Sequence, residues 1–549
     1  VKSGKNNGYF GKIWGVALLA LLFVSGVFFA VGAEALAADQ NKIESFVKNA
    51  WSWEKGNESV IIKALCDYIT IPNDSPGFDP KWSENGHMDR AIDLMAETVA
   101  ELKTQWGNQG CKVDDITIEV LGHGDRPEFN EAGERRTPLI CIDIPAFGSG
   151  APDSAVLLYG HMDKQPEMLP WAEGLGPRTP VLKDDLLYGR GGADDGYAIF
   201  SAFTAVMALR AQNAGHARCV IIVEACEESD SNDLPYYIQE LQKQIGSVSL
   251  IVCLDSGSSN YDQLWITNSL RGVLNAWVEV RVLTEGVHSG ESSGIVPSSY
   301  RIARQLLSRL EDEATGEIKP AWLKVNIPAE IQDQAQKTAE ALGREIYENF
   351  PFVNNEVQPV TGDLTELLLN RTWRPQLAVT GIQGLPSAPE AAGNVMLPYT
   401  RFKISLRLPP TLDAEKTAAA LVDELTGNPP YNAVINVSDI DTGNGWAAPS
   451  LAPWLAEANK EASIRFFSTD PNDMSREAVY MGEGGSIPFM GLLGELFPEA
   501  QFMITGVLGP HSNTHGPNEF LHLPYAQKVT MCVAHVLAAH HEAVGSGSR

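Results

Sequence analysis

The sequence predicts an α/β fold: a mainly parallel sheet covered by helices, with a smaller α+β unit inserted into it. Three observations predict this. Short apolar runs alternate with helical stretches from about residue 116 to residue 255. From about Ser269 the strands instead alternate apolar and polar, and the α/β pattern resumes near Ala448. The expected divisions are 1–38, 39–268, 269–447 and 448–549.

Each element has its own signal. "NKIESFVKNAWSWEKGNESVIIKALCDYITIP" reads as helix ended by Pro72. "ITIEVL", "TPLICIDIPAF" and "SAVLLYGHMD" read as strands. The helix "DGYAIFSAFTAVMALRAQ", the strand "RCVIIVEA", the helix "LPYYIQELQKQIG" and the strand "LIVCLD" follow. In the inserted unit, "GVLNAWVEVRVLTEG" and "RFKISLRLPP" have the period of half-buried strands. "SSYRIARQLLSRLEDE" and "AEKTAAALVDELTG" carry apolar stripes at helical spacing.

Residues 1–38 stand apart. Lys2, Lys5 and Lys12 precede the apolar run "IWGVALLALLFVSGVFFAVGA", and Ala35-x-Ala37 follows it, the layout of a secretory signal. Cleavage after Ala37 or Ala38 and export to a periplasm or the medium are the expectation, an uncleaved anchor the alternative. The chain as a whole, at 44% hydrophobic and 20% charged, has a globular composition. A net charge of -28 argues against nucleic acid and anionic membrane surfaces as partners. The seven cysteines show no metal-finger or CxxC spacing, and Cys219, Cys226 and Cys253 lie in strand-like runs as buried thiols would.

Chemistry-bearing residues collect at the C-terminal ends of the apolar runs, where open α/β sheets bind ligands. "LLYGHMDKQP" supplies His161 and Asp163, "LYGRGGADDGYA" Asp194 and Asp195, "EACEESDS" Glu227 and Glu228, and "IVCLDSGS" Asp255. "GPHSNTHGPNEFLH" adds His511, His515 and His522. Singly, each has an ordinary role as a cap, turn or solvated strand end. Together they form the donor set of a two-metal hydrolytic site, in which dications offset the burial of adjacent carboxylates.

The stretches "GHMDKQP", "YGRGGADDG", "EACEESDS", "LDSG", "RGV", "HSG", "SLRLPP", "GEGGSIPF" and "THGPNE" resemble the metal-dependent peptidase family of carnosinases, glutamate-releasing carboxypeptidases, aminoacylases and succinyl-diaminopimelate desuccinylases. The similarity spans roughly Gly160 to Glu519 and is greatest to the carnosinase-like dipeptidases. It implies that 39–268 and 448–549 form a catalytic domain and 269–447 a lid and dimerisation domain. It further implies two divalent ions per subunit, one held by His161 and Asp255, the other by Glu228 and His515, with Asp194 between them. Zinc is the expected ion, manganese or cobalt the alternatives. Glu227 is the implied general base, and Asp163 the group orienting His161. His288 is implied to reach across a homodimer to a developing oxyanion. Arg407, Gly485 and Ser486 are implied to receive a substrate carboxylate. The expected substrates are dipeptides or short peptides, with N-acyl amino acids the alternative; a non-catalytic peptide-binding protein is the distant one. The chain departs from the pattern where Gly196-Tyr197 follows the Asp pair in place of Lys-Gly, and where "ESSG" follows "HSG".

Overall fold

The computed structural model describes residues 40–54, 56–148, 151–485 and 488–545. The leader read at 1–38 and Ser486 lie outside the described residues. Among the described residues no helix is long and apolar enough to cross a membrane.

A nine-stranded sheet organises the larger part of the molecule. Its centre is the run Cys219–Glu224, Ala155–His161, Val248–Cys253 and Gln501–Ile504, all mutually parallel. Thr117–Leu121 and Leu139–Ile144 extend one side antiparallel, and Trp265–Leu270 lies beyond Gln501–Ile504 on the other. Every residue of Ala155–His161 and of Cys219–Glu224 is buried, as expected of central parallel strands covered on both faces. The helix Ala198–Arg210 is buried along its whole length, which explains why its apolar residues show no single stripe.

A four-stranded antiparallel sheet, ordered Gln376–Gln383, Tyr399–Leu408, Gly272–Arg281, Val434–Gly443, forms the second unit. Alternate residues of Gly272–Arg281 and Tyr399–Leu408 are buried, so Leu274, Val278, Ile404 and Leu406 pack beneath the helices Ser299–Leu310 and Ala414–Thr426. Two details differ from the sequence expectation. The first predicted helix is two: 40–50, then Val60–Ile69, separated by a turn in which the Asn57 N–H donates to the Glu54 carbonyl. The Ser59 side chain caps the second helix. The helices Ala329–Leu342 and Leu364–Thr372, from the polar stretch of the inserted unit, contribute Ala335, Leu342, Leu368 and Leu369 to the core of the large sheet. All seven cysteines are free.

Candidate active site

His161 is the last residue of its strand, and its imidazole is fully buried. Its Nε2 lies 3.1 Å from Asp194 Oδ1 and 3.8 Å from Asp255 Oδ1, while its Nδ1 lies 3.4 Å from Asp163 Oδ1. Gly160 allows the close approach behind it. A Cβ there would stand 2.6 Å from the Ala198 Cβ and 2.8 Å from Asp195 Oδ2. Asp194 and Asp195 are joined by a cis peptide bond. Asp195 Oδ2 accepts the His161 backbone N–H at 3.2 Å.

Glu227 and Glu228 sit on a single 3-10 turn, Glu227–Ser229, closed by Asp230 in the left-handed region at φ 69°. Asp163 holds this turn from below: its two oxygens accept the backbone N–H groups of Glu227 at 3.1 Å and Glu228 at 3.0 Å. One carboxylate thus faces His161 and fixes the glutamate pair at the same time. Gln165 donates to Glu228 Oε2 at 2.6 Å. His515 completes the constellation from a distant loop, its Nε2 3.0 Å from Asp194 Oδ2 and 3.4 Å from Glu228 Oε2. His522 stacks on Tyr261 with ring centroids 4.1 Å apart, and His511 lies exposed at φ 65°.

The loops carrying Asp194 and His515 are clasped together by residues to which the sequence reading gave no role. Glu519 accepts from Arg190 Nη1 at 2.5 Å, from the Gly191 N–H at 3.0 Å and from the Ala193 N–H at 3.3 Å. Arg190 Nη2 returns to the Gly516 carbonyl at 2.8 Å. Both side chains are almost wholly buried. The signal was available in "GRGG" and "GPNE", but only their ligand-type neighbours have a pattern that spacing reveals.

Charge is unbalanced here. Burial, and then Asp255, pushes the Glu227 carboxyl well above the usual range. Burial and the neighbouring Asp194 lift Glu228 to about 8. Burial opposes ionisation of Asp194 too, but hydrogen bonds from His161 and His515 outweigh it and hold that carboxyl below its ordinary value. Glu228 Oε1 is buried with no hydrogen-bond partner. Ligand atoms of His161, Asp194 and Glu228 all lie within 4.8 Å of one another, and so do those of His161, Glu227 and Asp255. Crowded carboxylates, an orphaned oxygen and two imidazoles fit divalent cations, which satisfy such donors and offset their mutual repulsion.

His288 and Arg407 are not part of this cluster. His288 is exposed in the two-stranded ribbon Val287–His288 with Val395–Met396, where its Nδ1 accepts the Gly290 N–H at 3.1 Å. Arg407 lies near the end of its strand in the small sheet, half-buried opposite Val273. Gly485 is exposed, just beyond the strand Val479–Glu483.

A buried His and carboxylate cluster at the C-terminal ends of a largely parallel sheet defines the class: a metal-dependent hydrolase. The chain belongs to peptidase family M20/M25/M40, whose sequence model matches residues 157–539. It is 23% identical over 433 residues to the cysteinylglycine-S-conjugate dipeptidase of Corynebacterium striatum, covering 78% of this chain and 88% of that protein. It is 24% identical over 463 residues to the β-Ala-His dipeptidase of Homo sapiens, covering 82% and 84%. Its fold is similar to the crystal structure of human carnosine dipeptidase 1, with a TM-score of 0.65 at 20% identity over 92% of this chain and 99% of that one.

Proposed function

We propose that the protein is an exported dipeptidase that hydrolyses the amide bond of short peptides at a two-cation site, with Glu227 as general base. The observation that carries this reading is the convergence of His161, Asp194, Glu227, Glu228, Asp255 and His515, from five separate segments, on one spot whose carboxylates and His161 are largely buried while His515 stands open to solvent. His161 and Asp255 would hold one ion and Glu228 and His515 the other, with Asp194 shared. Zinc suits this mixture of imidazole and carboxylate donors. When bound, the ions lower the pKa of the attacking water and polarise the scissile carbonyl.

The chain's own residues supply the rest. Glu227, held in place through its backbone N–H by Asp163, takes the proton of the attacking water and delivers it to the leaving amine nitrogen. Arg407, with the Gly485–Ser486 stretch, would receive the peptide's C-terminal carboxylate. His288, remote from the cluster of its own chain, would act across a homodimer on the developing negative charge. The basic, apolar and Ala-x-Ala order of residues 1–38 supports action outside the cytoplasm.

The test is mass-spectrometric detection of products from a mixed pool of dipeptides, tripeptides, N-acetyl and N-succinyl amino acids, with zinc- or manganese-loaded protein and a chelated control. Metal-dependent loss of dipeptides supports the proposal. Loss of N-acyl substrates alone would make the protein a deacylase. No cleavage with either metal would overturn the catalytic reading.

A further inference from the structure

Three arginines from separate segments meet at the edge of the active-site region. Arg271 joins the strand Trp265–Leu270 of the large sheet to Gly272–Arg281, the first strand of the small sheet in chain order. Arg407 stands opposite Val273, two residues further along. Arg371 lies in the last turn of the helix Leu364–Thr372, which packs on the large sheet and places the Asn370 carbonyl 3.2 Å from Arg271 Nη1. Gly484 marks the meeting point. A Cβ there would stand 3.2 Å from Arg271 Nη2 and 3.7 Å from the Arg371 carbonyl oxygen.

These guanidiniums outnumber the carboxylates beside them. Arg271 is only 8% exposed, and its Nε is buried with no hydrogen-bond partner. Arg371 Nη2 lies 4.0 Å from Met481 Sδ and Glu483 acts on its charge from nearby, but among the described residues none of the three forms a salt bridge with a carboxylate. Burial, then Arg407 and Arg371, pushes Arg271 down to about 10. Glu483 is the nearby acid, but its Oε1 is already taken up by Ser256 Oγ at 2.9 Å, the Gly257 N–H at 2.8 Å and Thr267 Oγ1 at 3.3 Å. Three cations against one engaged carboxylate leave two positive charges unmatched. A protein with 69 acidic and 41 basic residues has ample carboxylates with which to neutralise them, and does not do so here.

The cluster is next to the proposed chemistry. Ser256 and Gly257, which grip Glu483, directly follow Asp255, and Glu483 leads into Gly484 and Gly485. We propose that Arg271 and Arg371 extend the Arg407 site into one that receives two carboxylates, so that preferred substrates are dipeptides ending in aspartate or glutamate. The main-chain carboxylate and the side-chain carboxylate of such a residue supply the two missing negative charges, and guanidinium forks suit planar oxygens. This inference deepens the dipeptidase proposal and rests on it.

The test compares Ala-Glu, Ala-Gln and Ala-Ala as substrates of the metal-loaded protein. Since a hydrogen bond to a charged group is stronger than one to a neutral amide, kcat/KM for Ala-Glu should exceed that for Ala-Gln by about tenfold or more, mainly through KM. Arg271→Gln and Arg371→Gln should each collapse that ratio to within about threefold. The two variants cover the case in which one fails to fold. Equal kcat/KM for Ala-Glu and Ala-Gln, or a ratio surviving in both variants, would overturn the inference while leaving a dipeptidase. Calorimetric binding of the same peptides to metal-loaded Glu227→Ala separates the two readings. If no dipeptide is hydrolysed but Ala-Glu binds at least about tenfold more tightly than Ala-Gln, the two-carboxylate site stands and the dipeptidase reading falls. Equal or absent binding of both would overturn the site itself.

Discussion

Two clusters of like charge lie on either side of Glu483. Around His161, carboxylates crowd together at the ends of parallel strands, and burial lifts Glu227 and Glu228 toward protonation. Around Gly484, guanidiniums crowd together where the large and small sheets meet, and burial lowers Arg271 and Arg371. Elsewhere the chain satisfies buried cations singly: Arg190 pairs with Glu519, Arg210 with Asp115, and Lys164 donates to the Tyr68 and Ile71 carbonyls. The contrast teaches that several buried charges of one sign gathered in one place, unlike a single charge met by hydrogen bonds, mark a candidate site for something of opposite sign. The acidic cluster fits dications, and the basic one fits the anionic end of a substrate.

The comparison can be broken from the acidic side first. Asp194→Ala removes the carboxylate standing between His161 and His515, and should abolish turnover and the binding of both ions, read by calorimetry on metal-depleted protein. Glu227→Ala should lower kcat by about 10²–10⁴ with both ions still bound. On the basic side, Arg407→Ala should raise KM for dipeptides by about tenfold or more while leaving kcat much less affected. Asp163→Asn acts indirectly through His161 and the glutamate turn, and should weaken metal affinity by about 10–100-fold.

The smallest effect concerns the scaffold. His216 is pushed down to about 4, chiefly by burial, and its Nε2 accepts from Arg210 Nε at 3.1 Å, a bond that only the neutral imidazole can make. Burial holds His540 at about 4 as well. Below the ordinary value of 6.5 the unfolded chain binds protons that these folded imidazoles refuse. Stability is therefore full above that pH and falls as pH drops toward 4, by about 1.4 kcal/mol per pH unit for each histidine. Thermal melts across that window should show the decline, and His216→Gln should reduce it.

The acidic cluster was legible in the sequence because its residues sit at strand ends and strand runs are periodic. His161, Glu227 and Asp255 follow "SAVLLYG", "VIIVEAC" and "LIVCL", and in a parallel sheet those ends converge. His515 has no such periodic guide and was reached through the resemblance of "THGPNE". The basic cluster was only partly visible: Arg271 opens the quoted stretch "RGV" but was given no role there. Arg407 lies in an alternating strand within a recognisable motif, but Arg371 lies in the last turn of a helix in the polar stretch of the inserted unit. Nothing in its local pattern says that this helix packs on the large sheet and not over the small one. The Arg190–Glu519 clasp was hidden for a similar reason, since it joins positions 329 residues apart by a contact that no local period encodes. The double role of Asp163 likewise needed the observed turn, because its hydrogen bonds run to backbone N–H groups and carry no side-chain signature.

The most direct test of the central claim is one titration paired with one assay. Metal-depleted protein and Glu227→Gln are each titrated with zinc in a calorimeter, then assayed on the dipeptide that the wild-type protein cleaves fastest. The account predicts two ions per chain in both proteins and turnover only in the wild type. A single ion in the wild type, or undiminished hydrolysis by Glu227→Gln, would contradict it.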